Sequence, residues 1–272
     1  MEIDIKEIRL LVDIVKKNYN FDLGEYALSS FKRRLQRILE VYKLSNMAEL
    51  TLKVSQNKNF FEEFLREITV NTTEMFRDPS FWRKLRDEVF PVLANYPTIR
   101  IWHAACSSGE EVYSMAIALK EAGLFDKAKI YASDINELVM AKAQTGKYPI
   151  RNMEVNDANY ERYSGKKELT NYYKAIGDQA CLDTSLLSNV TFKKFDLVQG
   201  EPFMKFDLII CRNVLIYFTL PLQDHVIDMF SRSMMTGGLL AVGSKETIAW
   251  CKSYNKYSAF SLEEKIFKKV KD

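Results

Sequence analysis

The chain has 272 residues, 47% apolar and 28% charged, which fits folded globular structure with room for one large domain or two modest ones. Its formal net charge of +3 is too small to argue for nucleic acid as a partner, so any cationic surface has to be local. Cys106, Cys181, Cys211 and Cys251 form no CxxC, and only His103 and His225 could join them, which argues against a metal site and for reduced cytosolic thiols.

The N-terminus, MEIDIKEIRLLVDIVKK, is charged from its first residues and broken by Asp13, so neither a secretion signal nor a membrane span is expected there. No other stretch approaches a spanning length of apolar residues, and a cytoplasmic location is expected. Residues 1 to about 70 contain one glycine, Gly24, and no proline. Apolar residues recur there at helical spacing: Ile5, Ile8, Leu11, Val12, Val15; then Phe31, Leu35, Ile38, Leu39, Tyr42; then Phe60, Phe61, Phe64, Leu65, Ile68. Ser45 and Asn46 are placed to cap a helix through Met47 to Val54. A small helical module over 1–72 is expected, followed by a second domain over 73–272.

From Thr98 short apolar runs alternate with longer amphipathic ones. Strands are expected at Thr98–Ala104, Lys129–Ser133, Asn189–Phe195, Phe206–Cys211, Leu239–Gly243 and Lys265–Val270. Helices are expected at about Glu110–Glu121, Asn136–Thr145 and Pro221–Met235, the last closed by Thr236-Gly237-Gly238. Alternation of this kind predicts an α/β fold, a Rossmann-like, doubly wound, mostly parallel sheet. Leu169–Leu182 breaks the pattern and reads as a small antiparallel hairpin around Ile176-Gly177-Asp178, an inserted β-subdomain at about 168–186.

Ligands of open parallel sheets bind at the carboxyl ends of the strands. The polar residues that follow those strands are Ala104 to Glu111, then Asp134, then Asp196, then Arg212, Asn213 and Tyr217. The first loop has one glycine, Gly109, where a dinucleotide loop has three, and Glu110 and Glu111 open its helix. A phosphate there would meet two carboxylates, whereas a ligand with an amine and a sulfonium would not. Asp134 is placed to hold ribose hydroxyls. The combination indicates an adenosine ligand without phosphates, S-adenosylmethionine rather than NAD.

The stretches NTTEMFRDPSFW (71–82), IWHAACSSGEEVYSMAIAL (101–119), IYASDINELVMAKAQTGKY (130–148), FDLIICRNVLIYF (206–218) and GGLLAVGSKE (237–246) together resemble the CheR family of chemoreceptor glutamate methyltransferases. The helical module is similar to that family's N-terminal domain. The resemblance implies methyl transfer from S-adenosylmethionine to glutamate carboxylates of chemoreceptors; the runner-up is the same cofactor with another sensory or signalling protein as acceptor. It implies that Asn71, Thr73 and Arg77 close over the cofactor, that Ala104 lets the backbone approach it, and that Glu111, less certainly Glu110, holds its charged end. It further implies that Asp134 binds the ribose, that Asp196 and Leu197 flank the adenine, and that Arg212, Asn213 and Tyr217 lie beside the methionine end. Arg77, Arg212 and Tyr217 are the expected catalytic residues, orienting carboxylates. An ionised glutamate needs no general base, in keeping with a chain that has two histidines.

In SSFKRRLQR (29–37) four positive charges stand without a negative one. Arg33, Arg34 and Arg37 fall within an arc of about 100° on a helix. The resemblance implies that they face the acidic, methylated helices of the receptor. The short connection at Gly177, without a glycine-rich extension, argues against capture of a receptor tether peptide by the β-subdomain. A nucleic-acid module would want aromatics among the basic residues and more charge.

Overall fold

The computed structural model describes residues 3–69 and 73–272. Four helices open the chain: α1 (Ile5–Tyr19), α2 (Leu28–Val41), α3 (Met47–Gln56) and α4 (Lys58–Ile68). Asp4 starts α1 with a capping box, its carboxylate accepting from Lys6 N while Glu7 accepts from Asp4 N. Asn46 and Asn57 cap α3 and α4 with their side-chain oxygens. Leu11, Val15, Leu35, Ile38, Leu50, Val54 and Phe64 interlock as one buried core, because the apolar stripes of all four helices face inward.

The second domain begins with α5 (Pro79–Lys84), which runs through a π-helical turn at Leu85–Val89 into α6 (Phe90–Leu93). Phe90 N–H bonds to the Leu85 carbonyl, five residues back, just before Pro91, which has no N–H to continue the α-helical ladder. Then come β1 (Ile99–Ala104), α7 (Glu110–Glu121), β2 (Ala128–Asp134), α8 (Glu137–Thr145), β3 (Lys147–Pro149), α9 (Met153–Tyr163), β4 (Tyr173–Ile176), β5 (Gln179–Leu182), β6 (Val190–Lys194), β7 (Phe206–Cys211), α10 (Leu220–Arg232), β8 (Met234–Val242), β9 (Tyr257–Ser261) and β10 (Ile266–Lys269). The main sheet has the order β6-β2-β1-β7-β8-β10-β9. β6, β2, β1, β7 and β8 are parallel, and β10 is antiparallel to both of its neighbours. The chain reverses direction across the sheet between β1 and β7, so a crevice opens beyond their carboxyl ends.

The sheet is buried on both faces. Ile101, Ile130, Leu208 and Leu239 pack on one side, and Trp102, Ile209, Leu240 and Phe230 on the other.

The expected α/β architecture is present, with three local corrections. α10 ends at Arg232, not Met235, and Thr236-Gly237-Gly238 lie inside β8 rather than closing a helix. Gly237 takes φ 95° there, beside a shift in the β7–β8 register. The inserted sheet has three strands, β3-β5-β4, because β3 joins it from outside the expected hairpin. β9 was not expected: it is an exposed edge strand without an apolar run.

Candidate active site

Beyond β1 the chain turns sharply. Ala105 (φ 62°), Ser107 (φ 50°) and Gly109 (φ 89°) are all left-handed. The turn is held by Cys106 N–H donating to the Ser133 carbonyl at 2.8 Å and Ser107 N–H donating to Asp134 Oδ2 at 2.9 Å. Asp134 Oδ1 accepts from Asn136 N at 3.0 Å, and the Asp134 carbonyl accepts from Phe195 N. One buried carboxylate therefore joins the turns that follow β1 and β2, while the main-chain carbonyl of the same residue holds the end of β6. Burial raises its pKa from the ordinary carboxylate range, against the amides of Asn136 and Ser107, which favour the ionised form. Gly109 serves packing: a Cβ there would stand 2.5 Å from that of Ala143 on α8.

The two acids at the start of α7 part company. Glu111 accepts from His103 Nδ1 at 2.9 Å and from Arg212 Nη1 at 3.4 Å. Burial would raise its carboxyl, but the His103 hydrogen bond and the Arg212 charge outweigh it and leave the pKa lowered. An ionised carboxylate only accepts, so Nδ1 of His103 carries the proton. Glu110 instead accepts from Ser108 Oγ at 2.7 Å, and burial pushes its carboxyl up to about 7. Glu110 lines neither of the cavities described below.

Arg212, at the end of β7, is buried with its guanidinium over the Phe81 ring, 4.1 Å from the centroid. It donates to Asp78 Oδ2 at 2.6 Å, to Glu111 and to the Arg77 carbonyl. The loop that follows is anchored by Glu246, a buried residue just past β8. Its carboxylate accepts from Asn213 N at 3.0 Å, from Ile216 N at 3.3 Å and from Gly243 N. Asn213 itself is left-handed at φ 62°.

Two contiguous cavities occupy the crevice. The larger encloses about 660 Å³, its open mouth included. Asp134, Asp196 and Leu197 line it, with Ile135, Val214 and Phe218 among its apolar walls. Asp196 accepts from Val198 N at 2.8 Å, and burial raises its carboxyl. The smaller, about 490 Å³, is lined by Thr73, Glu74, Arg77, Glu111 and Arg212. Ala105, Ser107, Asn213 and Val214 line both. Ala104 is buried in the sheet core, and Ala105 faces the ligand space in its place. Asn71 lies outside the described residues.

The N-terminal domain completes the larger cavity with Tyr26, Ile68 and Thr69, and Tyr217 lines it too. A β-bridge pairs Tyr26 with Phe218, and Ala27 N–H donates to the Tyr217 carbonyl at 2.8 Å. Arg33 and Arg37 are exposed on α2, but Arg34 is half-buried, with its guanidinium 4.9 Å from the centre of the Tyr217 ring. The expected common face of three arginines is therefore two, the third being turned into the domain junction.

The lining fits an adenosyl sulfonium. Among the described residues the larger cavity presents two carboxylates and no lysine or arginine, which suits ribose hydroxyls and an adenine amine and would repel a pyrophosphate. The smaller presents acids and arginines together, as the ammonium and carboxylate of an amino-acid end require. Sequence reasoning missed Tyr26, Asp78 and Glu246. Asp78 and Glu246 stand within the quoted motifs, whereas nothing local marks Tyr26.

Comparison with known proteins agrees with the geometry. Residues 71–266 match the SAM-binding domain of CheR methyltransferases and residues 6–69 match their all-alpha domain. The Pseudomonas putida protein named Cher3 is 37% identical over 97% of this chain and 96% of its own length. Chemotaxis protein methyltransferases of Borreliella burgdorferi (32% identical, 89% of this chain, 88% of theirs) and Listeria monocytogenes (30%, 89% and 90%) are similar along nearly the same extent. The chain belongs to the CheR methyltransferase family and is a methyltransferase that uses S-adenosylmethionine.

Proposed function

We propose that the protein methylates glutamate side-chain carboxylates of chemoreceptors, producing methyl esters. The observation that carries this reading is the absence of any histidine or lysine among the described lining residues of either cavity. His103 is buried against Glu111, and His225 is exposed on α10. An alcohol or amine acceptor would have to lose a proton; a glutamate is already ionised at neutral pH.

S-adenosylmethionine supplies an electrophilic methyl group on a sulfonium. Asp134 would hold the ribose, Asp196 and Leu197 the adenine, and Glu111 the ammonium. Arg212, already engaged by Asp78, Glu111 and the Arg77 carbonyl, serves as framework rather than as the group that orients the acceptor. Arg77 and Tyr217, which line the smaller and larger cavity respectively, are assigned to the acceptor carboxylate and its approach. Cation and anion become neutral products, so shielding from water by Thr69, Ile68 and Tyr26 favours the reaction. Exposed Arg33 and Arg37 are assigned to the acidic helices of the receptor. The β4–β5 hairpin turns at Gly177 (φ 60°) without an extension, which supports a receptor held by its methylated helices and not by a tether peptide.

The test is incubation with S-adenosylmethionine and soluble cytoplasmic fragments of chemoreceptors from the same organism, with the modified residues located by mass spectrometry. Methylated glutamates support the reading; methylation confined to other residue types contradicts it.

A further inference from the structure

Trp250 is 78% exposed, whereas Trp82 and Trp102, the chain's other tryptophans, are fully buried. An indole left in water forgoes one of the largest burial gains any side chain offers. It has apolar company nearby: Leu220 is 63% exposed and Ile216 is 39% exposed. The segment that carries Trp250 is fastened on both sides. Glu246 holds it to the Asn213–Ile216 loop, and Lys252 N–H donates to Asp224 Oδ1 at 2.7 Å, one turn along α10 from Leu220. Ile248 and Cys251, which flank Trp250, are buried with Leu215, Phe218 and Leu222. The exposure is therefore a property of a fixed backbone and not of a loose loop.

Ile216 directly precedes Tyr217, which lines the larger cavity. Lys245 and Lys252 are exposed beside the patch, Lys252 with its Nζ 3.6 Å from Asp224 Oδ2. Apolar groups flanked by cations complement an amphipathic helix whose polar face carries acids. We infer that Ile216, Leu220 and Trp250 form the docking surface for the helix that bears the acceptor glutamate, with Lys245 and Lys252 meeting its acidic flank. The inference rests on the reading of the substrate as an acidic helical protein. It places a second grip on the substrate in the catalytic domain, separate from α2.

The experiment is steady-state methylation of a soluble cytoplasmic fragment of a chemoreceptor by the wild-type full chain and by Trp250→Ala, Leu220→Ser and Trp250→Phe. Trp250→Ala is expected to raise KM for the fragment about tenfold, the effect of losing one interface anchor. Leu220→Ser should raise it less, Trp250→Phe should restore most of it, and kcat at saturating fragment and the Kd for S-adenosylhomocysteine should hold. A wild-type KM in Trp250→Ala overturns the docking surface while leaving the substrate reading intact. So does co-sedimentation with anionic phospholipid vesicles that depends on Trp250 while KM for the fragment does not, since it assigns the patch to a membrane. If the wild-type chain methylates none of the organism's receptor fragments, the substrate reading fails and the inference falls with it.

Discussion

The guanidinium of Arg34 lies over the ring of Tyr217, 4.9 Å from its centroid, and so ties the basic helix of the N-terminal domain to the loop beside the cofactor cavity. Burial lowers the Arg34 pKa, and the neighbouring Tyr217 works in the opposite direction. The Glu25–Thr219 hydrogen bond at 2.7 Å and the Tyr26–Phe218 bridge fasten the same junction. Under the proposed function, this contact links the helix assigned to the receptor with the loop assigned to the acceptor carboxylate. Arg34→Ala is expected to lower kcat, and Tyr217→Phe should lower turnover more than cofactor affinity. A double-mutant cycle on kcat should give a coupling of about 0.5–2 kcal/mol. Arg33→Glu, on the exposed face, should raise KM for the receptor steeply without changing the Kd for S-adenosylhomocysteine. Additive effects of Arg34→Ala and Tyr217→Ala contradict the coupling.

The Asp134 carboxylate holds the turns after β1 and β2 and faces the larger cavity. Asp134→Asn removes the charge and can accept the Ser107 and Asn136 amides with only one oxygen. Calorimetry should show S-adenosylhomocysteine binding weakened roughly tenfold to a hundredfold, the worth of one charge-assisted hydrogen bond. Unchanged affinity would remove Asp134 from the ribose site.

Glu110 yields a pH prediction. Its folded pKa is raised from 4.5 to about 7 by burial, so the folded state prefers the protonated acid. Below pH 4.5 both states are protonated and nothing is lost. As pH rises from 4.5 to about 7 the unfolded chain releases the proton first, and stability falls by about 3 kcal/mol. Glu110→Gln keeps an acceptor for Ser108 Oγ and removes the titration. Its melting temperature should exceed the wild type's at pH 8 and match it at pH 4.5, with the Kd for S-adenosylhomocysteine unchanged because Glu110 lines neither cavity. A Kd raised tenfold would return Glu110 to the cofactor site.

Glu246 organises the Asn213–Tyr217 loop from behind. Glu246→Ala leaves the amides of Asn213, Ile216 and Gly243 without their acceptor. Chemical denaturation should show a loss of about 2–4 kcal/mol. Glu246→Gln, which can still accept, should recover part of both stability and kcat. A fully active Glu246→Ala would show that the loop orders itself.

Legibility in the sequence followed the range of the interactions. β1, β2 and β7 could be read because strands buried on both faces are short, mostly apolar runs, and Asp134 because it ends such a strand. Thr236-Gly237-Gly238 misled because glycine marks both helix ends and strand bulges, and only the pairing with β7 separates them. Lys147–Pro149 is too short to show a period. Arg34 was placed with Arg33 and Arg37 because helical spacing fixes angles within a helix, whereas its burial depends on Tyr217, which is far away in sequence. Tyr26 reaches the cavity through contacts distant in sequence, the bridge to Phe218 and the Ala27–Tyr217 hydrogen bond beside it.

The central claim is ester formation on a carboxylate that needs no general base. The most direct measurement is transfer of radiolabelled methyl from S-adenosylmethionine to a chemoreceptor fragment, followed by mild base treatment of the product. Label released as methanol is expected, with the rate of transfer flat from pH 6 to 8, well above the roughly 4.3 at which a free glutamate titrates. Label that survives base, or a rate that climbs steadily with pH across that range, would point to an amine or alcohol acceptor and contradict ester formation.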